Sequence, residues 1–469
     1  MRNKKVLTAL VLAALCASPL TAQADDLPGY FDWRREVTTD RNSALTNSIV
    51  PAIRAQGKHE TCWTFATLAS YESNWNRQLR QAGITNTVAP DFSERYLAWL
   101  GYAESLDGDA ATKVHYDVGA GLSKKYTKAP ELIYDQGGFV NFSTSVLIRH
   151  GAVLESAVPY DQSVNMQGVD HLVTPSGLLH DVYGRMTNLC SRKLDLIKED
   201  IPYFKKMLQQ QGVLFAIYHA SHSDLVDVLN LEDTSGNHAI ALVGWDDDYV
   251  ITKNGKTYKG AWILRNSWGT NSGENGYYYI SYYDASLQSP VSMQPELDSA
   301  RYTTVSTWAP LGYTTQLPGS STLSIASRLP STASQFVKAV GVYVPQDGMQ
   351  YTVSVRLRGT SPTDGNTVYT QSGTFGENGS AAYSGYRTID LDKYVYLPNG
   401  ENYVVLVTLT DKDGKTTNLP ISIGDGLADT STEVIPAGVS YRYDNGVWID
   451  TAADSSSVII NGLGKNSEQ

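Results

Sequence analysis

Gln56-Gly57-Lys58-His59-Glu60-Thr61-Cys62-Trp63-Thr64-Phe65-Ala66 is the stretch on which the rest of the chain turns. A Gln stands six residues before a Cys, and the Cys opens an apolar run. Trp63, Phe65, Ala66, Ala69 and Trp75 recur at roughly helical spacing as far as Leu79. Thr61 suits the N-cap and Gly83 the far end. The thiol of Cys62 is therefore expected at a helix N-terminus, where the partial positive charge favours thiolate, the nucleophilic form. The neutral amide of Gln56 suits donation to an oxyanion.

A nucleophile needs a base, and the base an orienting group. Gly236-Asn237-His238-Ala239-Ile240-Ala241-Leu242-Val243-Gly244-Trp245 reads as a buried strand with a His near its start. Ala261-Trp262-Ile263-Leu264-Arg265-Asn266-Ser267-Trp268-Gly269 reads as a second strand running into a turn. A buried structural Cys, a core His and a turn-forming Asn are the competing readings of Cys62, His238 and Asn266.

The text around these residues favours catalysis, because it resembles the papain-like cysteine peptidases. The order Gln, Cys, His, Asn agrees, as do QGxxxxCWxFA, NHAIALVGW and LRNSWGTNSGENGYYYI. Leu27 to Arg34 resembles the start of a mature domain of that family, and Phe92-Ser93-Glu94-Arg95-Tyr96-Leu97 its LSEQxL segment. Gln136-Gly137-Gly138 resembles its cleft glycines, and Glu155 with Pro159-Tyr160 its ExxYPY segment. The resemblance implies a two-lobed α+β peptidase domain over residues 25–295. It implies Cys62 as nucleophile, His238 as base, Asn266 as orienter and Gln56 as oxyanion donor. It also implies a substrate cleft at Trp63, Gly137, Gly138, Ala239 and Trp268, with Trp268 packed over the His–Asn pair. The expected reaction is hydrolysis of a protein or peptide substrate through a thioester, with no metal or organic cofactor. Transfer of the acyl group to an amine would use the same residues.

The departures are specific. Where the family has a Cys three residues before the nucleophile stands His59, and its usual disulfide partner corresponds to Asp135. Both halves of one bridge are thus missing together, and a further Cys often found near Leu100 is also missing. Ser272 replaces a second Trp. Cys62 and His238 lie 176 residues apart, against about 130–150 in the family. Insertions within 101–134 and 163–200 account for the excess. His59 itself reads as a solvated loop residue. His219 and His222 have a metal-like spacing but no second cluster, and read as non-ligands. Asp246-Asp247-Asp248 reads as a solvated loop between strands, since the Gly and distal Glu of a calcium loop are missing.

Residues 1–24 read as a signal peptide. Arg2, Lys4 and Lys5 precede the apolar run Val6 to Ala17, and Ala22-Gln23-Ala24 is a small-x-small cleavage site. The run is too short for a membrane span and no later stretch is long enough, so no transmembrane segment is expected. The expected address is periplasmic or extracellular. Only Asp25 and Asp26 separate that site from Leu27, which leaves no room for a pro-segment and predicts activity without further N-terminal cleavage. Removing three basic residues from the 37 Lys and Arg leaves 34 against 48 Asp and Glu, a net −14 for the mature chain. That balance argues against nucleic acid as a partner. Cys62 and Cys190 remain after cleavage. A bridge between them would consume the nucleophile, so Cys62 reads as free and Cys190 as a core residue or a thiol in an insertion.

Beyond about residue 295, Tyr, Ser, Thr and Gly dominate and alternating runs appear: Lys338 to Val344, Gln350 to Leu357, Thr367 to Phe375, Tyr386 to Leu391 and Asn402 to Leu409. Turn sequences such as Pro345-Gln346-Asp347-Gly348 and Asp411-Lys412-Asp413-Gly414 separate them, which predicts an all-β sandwich. Pro398-Asn399-Gly400-Glu401 before an apolar strand resembles the lectin-like domain that follows the peptidase in some bacterial papain-like proteins. The expected organisation is a boundary at 296–315, the β-sandwich at 316–462 and a disordered tail at 463–469. The lectin resemblance implies a glycan or surface-protein ligand, and with it a second functional reading, an extracellular adhesin whose peptidase fold mainly binds. A chain ending near residue 300 is expected to keep the site and cleave small peptides.

Overall fold

The structure, a computed structural model, describes residues 27–46, 48–85, 90–102, 134–135, 137–161, 183–191, 196–221, 226–309, 312–331, 333–377, 382–423 and 435–467. The expected signal peptide, Gln136, His222 and most of both expected insertions lie outside these residues.

Helix α1, Cys62–Gln81, is the axis of the first domain. It is buried on nearly every face, so its polar residues must find partners inside. Ser70 Oγ donates to Val213 O at 2.7 Å, and Asn74 Nδ2 donates to Met293 O at 2.8 Å. These bonds fix one side of α1 against a sheet. The other side packs on α2, Glu94–Tyr102, and α3, Val140–Arg149. The helix closes where expected. Gly83, at φ +74°, gives its N–H to Arg80 O, and Ile84 N reaches Leu79 O.

The sheet has eight strands: β1 Tyr30–Asp32, β2 Met186–Ser191, β3 Leu214–Tyr218, β4 Asp227–Val228, β5 His238–Lys253, β6 Lys256–Arg265, β7 Tyr277–Ser281 and β8 Gln288–Pro295. Their order is β2-β8-β3-β5-β6-β7-β4, with β1 paired to β5. Its central strand β5 is buried from His238 to Asp246, as a continuous apolar run predicts. Gly244 is needed there, because a Cβ would meet Phe31 O at 2.2 Å where β1 crosses. Helix α4, Ile201–Gln211, lies against β5 and β8.

The acidic run is not a loop. Asp246, Asp247 and Asp248 lie within β5 at a register shift, and each has a cation: Arg41 on Asp246, Lys205 on Asp247 and Lys259 on Asp248. Arg41 and Lys205 come from distant sequence and Lys259 from the next strand, so a local reading could not find them. Cys190 is a core residue, fully buried in β2, and neither it nor Cys62 is in a disulfide.

The second domain is a β-sandwich. One sheet contains β14 Asn366–Thr374, β13 Gln350–Leu357, β16 Tyr403–Thr410, β11 Thr322–Leu329, β18 Ser440–Asp444 and β19 Val447–Asp450, in that order. The facing sheet runs β15 Gly385–Leu397, β12 Gln335–Val344, β21 Ile460–Asn466 and β9 Thr304–Thr307. A third, of β10 Thr315–Leu317, β17 Leu419–Ile423 and β20 Ser456–Val458, adds Leu419, Ile421 and Val458 to the same core. Val340, Val342, Val353, Val355, Val405 and Val407 fill the space between the two larger sheets.

Two boundaries differ from expectation. Strand β9 falls inside the expected boundary region, and β21 continues through Leu463 to Asn466, where a disordered tail was expected. Those last residues are ordered because β21 is an inner strand, hydrogen-bonded to β12 on one side and β9 on the other.

The two domains share a core. Tyr386 and Ile459 pack in the cluster around α1, and Tyr383 in the cluster beneath β5. Ser191 N donates to Ser384 O at 2.8 Å, and Thr388 Oγ1 to Thr187 O at 2.6 Å. The guanidinium of Arg387, 2% exposed, reaches across to Leu189 O at 3.0 Å and Cys190 Sγ at 3.4 Å. Strand β2 is an edge of the eight-stranded sheet, and the second domain covers it.

Candidate active site

Cys62 is the first residue of α1, partly exposed at the end of a buried helix. Thr61 does not cap that helix with its side chain. Its hydroxyl instead pairs with Tyr160 Oη at 2.7 Å, and the Tyr160 hydroxyl donates to Gln56 O at 2.8 Å. Tyr160 therefore staples the Gln56 segment to the start of α1, a role the sequence reading missed.

His238 begins β5, and the next residue touches the thiol: Ala239 N donates to Cys62 Sγ at 3.5 Å. The imidazole is buried, and its Nε2 lies 2.8 Å from Asn266 Oδ1. Asn266 Oδ1 also accepts from Ser267 N at 2.7 Å, which identifies it as the oxygen of the amide. Nε2 of His238 must then carry the hydrogen, and Nδ1 is left as the basic nitrogen. The Trp268 ring lies over the imidazole, centroids 4.6 Å apart and planes 30° apart.

Burial shapes both titrations. It pushes the His238 imidazole down to about 4 and the Cys62 thiol up, the latter against the backbone N–H groups of Ala239, Trp63 and Cys62 itself. Taken singly, each group is biased by burial toward its neutral form. For the thiol alone, desolvation outweighs the three backbone N–H groups that favour its charged form.

Gln56 is buried at 7% exposure, and its segment pairs with the turn that carries Asn266. Gln56 N donates to Ser267 O at 2.8 Å, and Gly269 N to Arg54 O at 3.2 Å. The side-chain amide is fixed at both ends: Ser267 Oγ donates to Oε1 at 2.7 Å, and Nε2 donates to His59 O at 2.7 Å. Ser267 is a second supporting residue that the motif contains but the sequence reading left without a role.

The structure sorts the expected cleft residues. Gly137, at φ +68°, and Gly138 are partly exposed beside the loop. Trp63 is 1% exposed and does not line a cleft. It supports one from below: a Cβ on Gly138 would meet the Trp63 ring at 2.3 Å, so only glycine brings the backbone down onto that indole. Ala239 is buried and offers its backbone, while Trp268 is partly exposed. His59 is not a solvated loop residue. It is 7% exposed, with Nδ1 at 2.8 Å from Asp135 Oδ1. The two positions where the resemblance leads one to expect a disulfide thus hold a His–Asp pair. His219 pairs with Asp233 at 3.1 Å, and no group of metal-ligating side chains forms among the described residues.

Comparison with known proteins bears on the two domains. Residues 136–294 match the family described as papain family cysteine protease, and residues 307–462 match the lectin like domain family. A viral cathepsin of Epiphyas postvittana nucleopolyhedrovirus is 28% identical over 262 residues, 54% of this chain and 59% of that protein. A cysteine protease of Blomia tropicalis is 26% identical over 269 residues, 56% of this chain and 63% of that protein. The chain therefore spans about three fifths of the length of these relatives. In fold, it is similar to a crystal structure of the cysteine protease and lectin-like domains of Cwp84, a surface layer associated protein of Clostridium difficile. That match has a TM-score of 0.68 at 19% identity, over 89% of this chain and 87% of the other. The order of the two matched families along the chain is the order of the two domains in the structure: a papain family peptidase domain followed by a lectin-like domain.

Proposed function

We propose that the chain is an exported cysteine endopeptidase that hydrolyses peptide bonds through Cys62, His238 and Asn266. The observation that carries this reading is the convergence at one helix end. Ala239 N lies 3.5 Å from the Cys62 sulfur, and the neighbouring His238 is held by Asn266 at 2.8 Å in the tautomer that leaves Nδ1 basic.

The proton of the Cys62 thiol moves to His238 Nδ1 as the sulfur attacks the substrate carbonyl carbon. This creates the thiolate and imidazolium together, so each offsets the other's burial cost. The carbonyl oxygen becomes an oxyanion, which receives the Cys62 backbone N–H and the second hydrogen of the Gln56 amide. The C–N bond breaks, and His238 gives its proton to the departing amine. Water then attacks the thioester, with His238 taking a proton from it and returning it to the sulfur. The carboxylic acid leaves and the thiol is restored. Trp268 covers the imidazole and limits its access to water. Gly137 and Gly138 let a substrate backbone approach the cleft wall.

The purified protein is expected to cleave internal bonds in an unstructured peptide library, and the pattern of cuts to reveal its side-chain preference. No cut above the level of a His238→Ala variant would remove the endopeptidase reading and favour a binding role for the fold.

A further inference from the structure

The loop that carries Gln56 ends at His59, and His59 makes two contacts of different kinds. Its carbonyl oxygen accepts from Gln56 Nε2 at 2.7 Å. Its ring turns away from that bond and meets Asp135, Nδ1 to Oδ1, at 2.8 Å. One residue on, Glu60 N donates to Tyr134 O at 2.8 Å. The ring is boxed in by Tyr134 and Tyr160, each with its centroid 6.1 Å away. Residues 59–60, just before the nucleophile, are therefore pinned at two points to residues 134–135, just before Gly137 and Gly138.

The amide of Gln56 has two hydrogens on Nε2, in one plane with its oxygen. The oxygen is held by Ser267, and one hydrogen is given to the His59 carbonyl. The direction of the second hydrogen follows from those two bonds. A shift of the His59 backbone turns that hydrogen. Gly57 and Lys58, between the two residues, are exposed, so the fixed end of the loop is His59 itself.

We infer that His59 and Asp135 are positioning residues for the oxyanion site, an inference that rests on the peptidase reading above. Neither touches the reacting atoms. The Asp135 carboxylate fixes the His59 ring, the ring fixes the His59 carbonyl, and the carbonyl aims the Gln56 amide. Because a donor to the oxyanion acts mainly in the transition state, loosening it lowers kcat and leaves KM nearly unchanged.

The test is steady-state cleavage of one short peptide by the full chain and by Asp135→Ala, Asp135→Asn and Gln56→Ala variants, with a melting curve for each. Asp135→Ala is expected to lose about tenfold in kcat, as small misplacements of catalytic groups do, with KM changed less than about twofold. Asp135→Asn keeps an acceptor for Nδ1 and is expected to retain most of the rate. In a Gln56→Ala background, Asp135→Ala is expected to cost little more, since both act on one hydrogen bond. An active wild type whose kcat is untouched by Asp135→Ala, or losses from Gln56→Ala and Asp135→Ala that simply multiply, overturns this inference alone. An inactive wild type sinks the peptidase reading, and this inference with it.

Discussion

A chain ending near residue 300 is expected to lose the peptidase fold, and with it cleavage of even the shortest peptide. The tyrosines Tyr383 and Tyr386 and the side chain of Ile459 are part of the packing around α1 and beneath β5, and the cut removes all three. It also strips Ser384 and Thr388 from the β2 backbone. An uncovered β2 would be an unpaired edge, which invites association between copies. The single substitution Arg387→Ala samples the same interface more gently. It leaves the Leu189 carbonyl without its guanidinium donor, at a cost of about 2–4 kcal/mol for a buried charged hydrogen bond and its void. Both are read by thermal melting and by peptide cleavage. A truncated chain that melts cooperatively and cuts peptides at the full-length rate would show that the shared core is dispensable. This outcome differs from what composition suggests, because a Tyr-rich strand pattern with none of the active-site candidates reads as an independent module.

Cys62→Ser is expected to lower peptide hydrolysis by at least about a thousandfold with an unchanged melting temperature, since the side chains are similar in volume and a hydroxyl is far less acidic than a thiol at a site shaped for sulfur. Asn266→Ala is expected to cost less than His238→Ala, because it frees the ring without removing the base. Equal losses in those two variants, with folding intact, would mean that Asn266 does more than orient. A Cys62→Ser protein with full activity would remove the nucleophile from the account.

Much of the site was legible because its text is local. The Gln-to-Cys offset, the strand that starts at His238 and the turn after Asn266 each fall within a dozen residues. So do the runs that became β12, β13 and β16, where apolar alternation matches burial. What escaped were pairings across long separations. Tyr160 and Thr61 lie 99 residues apart, and His59 and Asp135 lie 76 apart. The sequence marked the second pair as two positions changed together, but the hydrogen bond that joins them needed the fold. Strand β20, Ser456–Val458, is short and largely hydroxyl-bearing, yet buried because β17 pairs with it. Trp63 looked like a cleft residue because it follows the nucleophile, but the helix turns it inward beneath Gly138.

In the proposed mechanism Cys62 carries the acyl group. The most direct measurement is rapid acid quench of the protein during turnover of an activated ester, followed by mass analysis of its peptides. A thioester is expected on the peptide containing Cys62, none on that containing Cys190, and loss of the adduct in His238→Ala. Steady turnover with no acyl group on Cys62 at any time, or the adduct unchanged in His238→Ala, would contradict it.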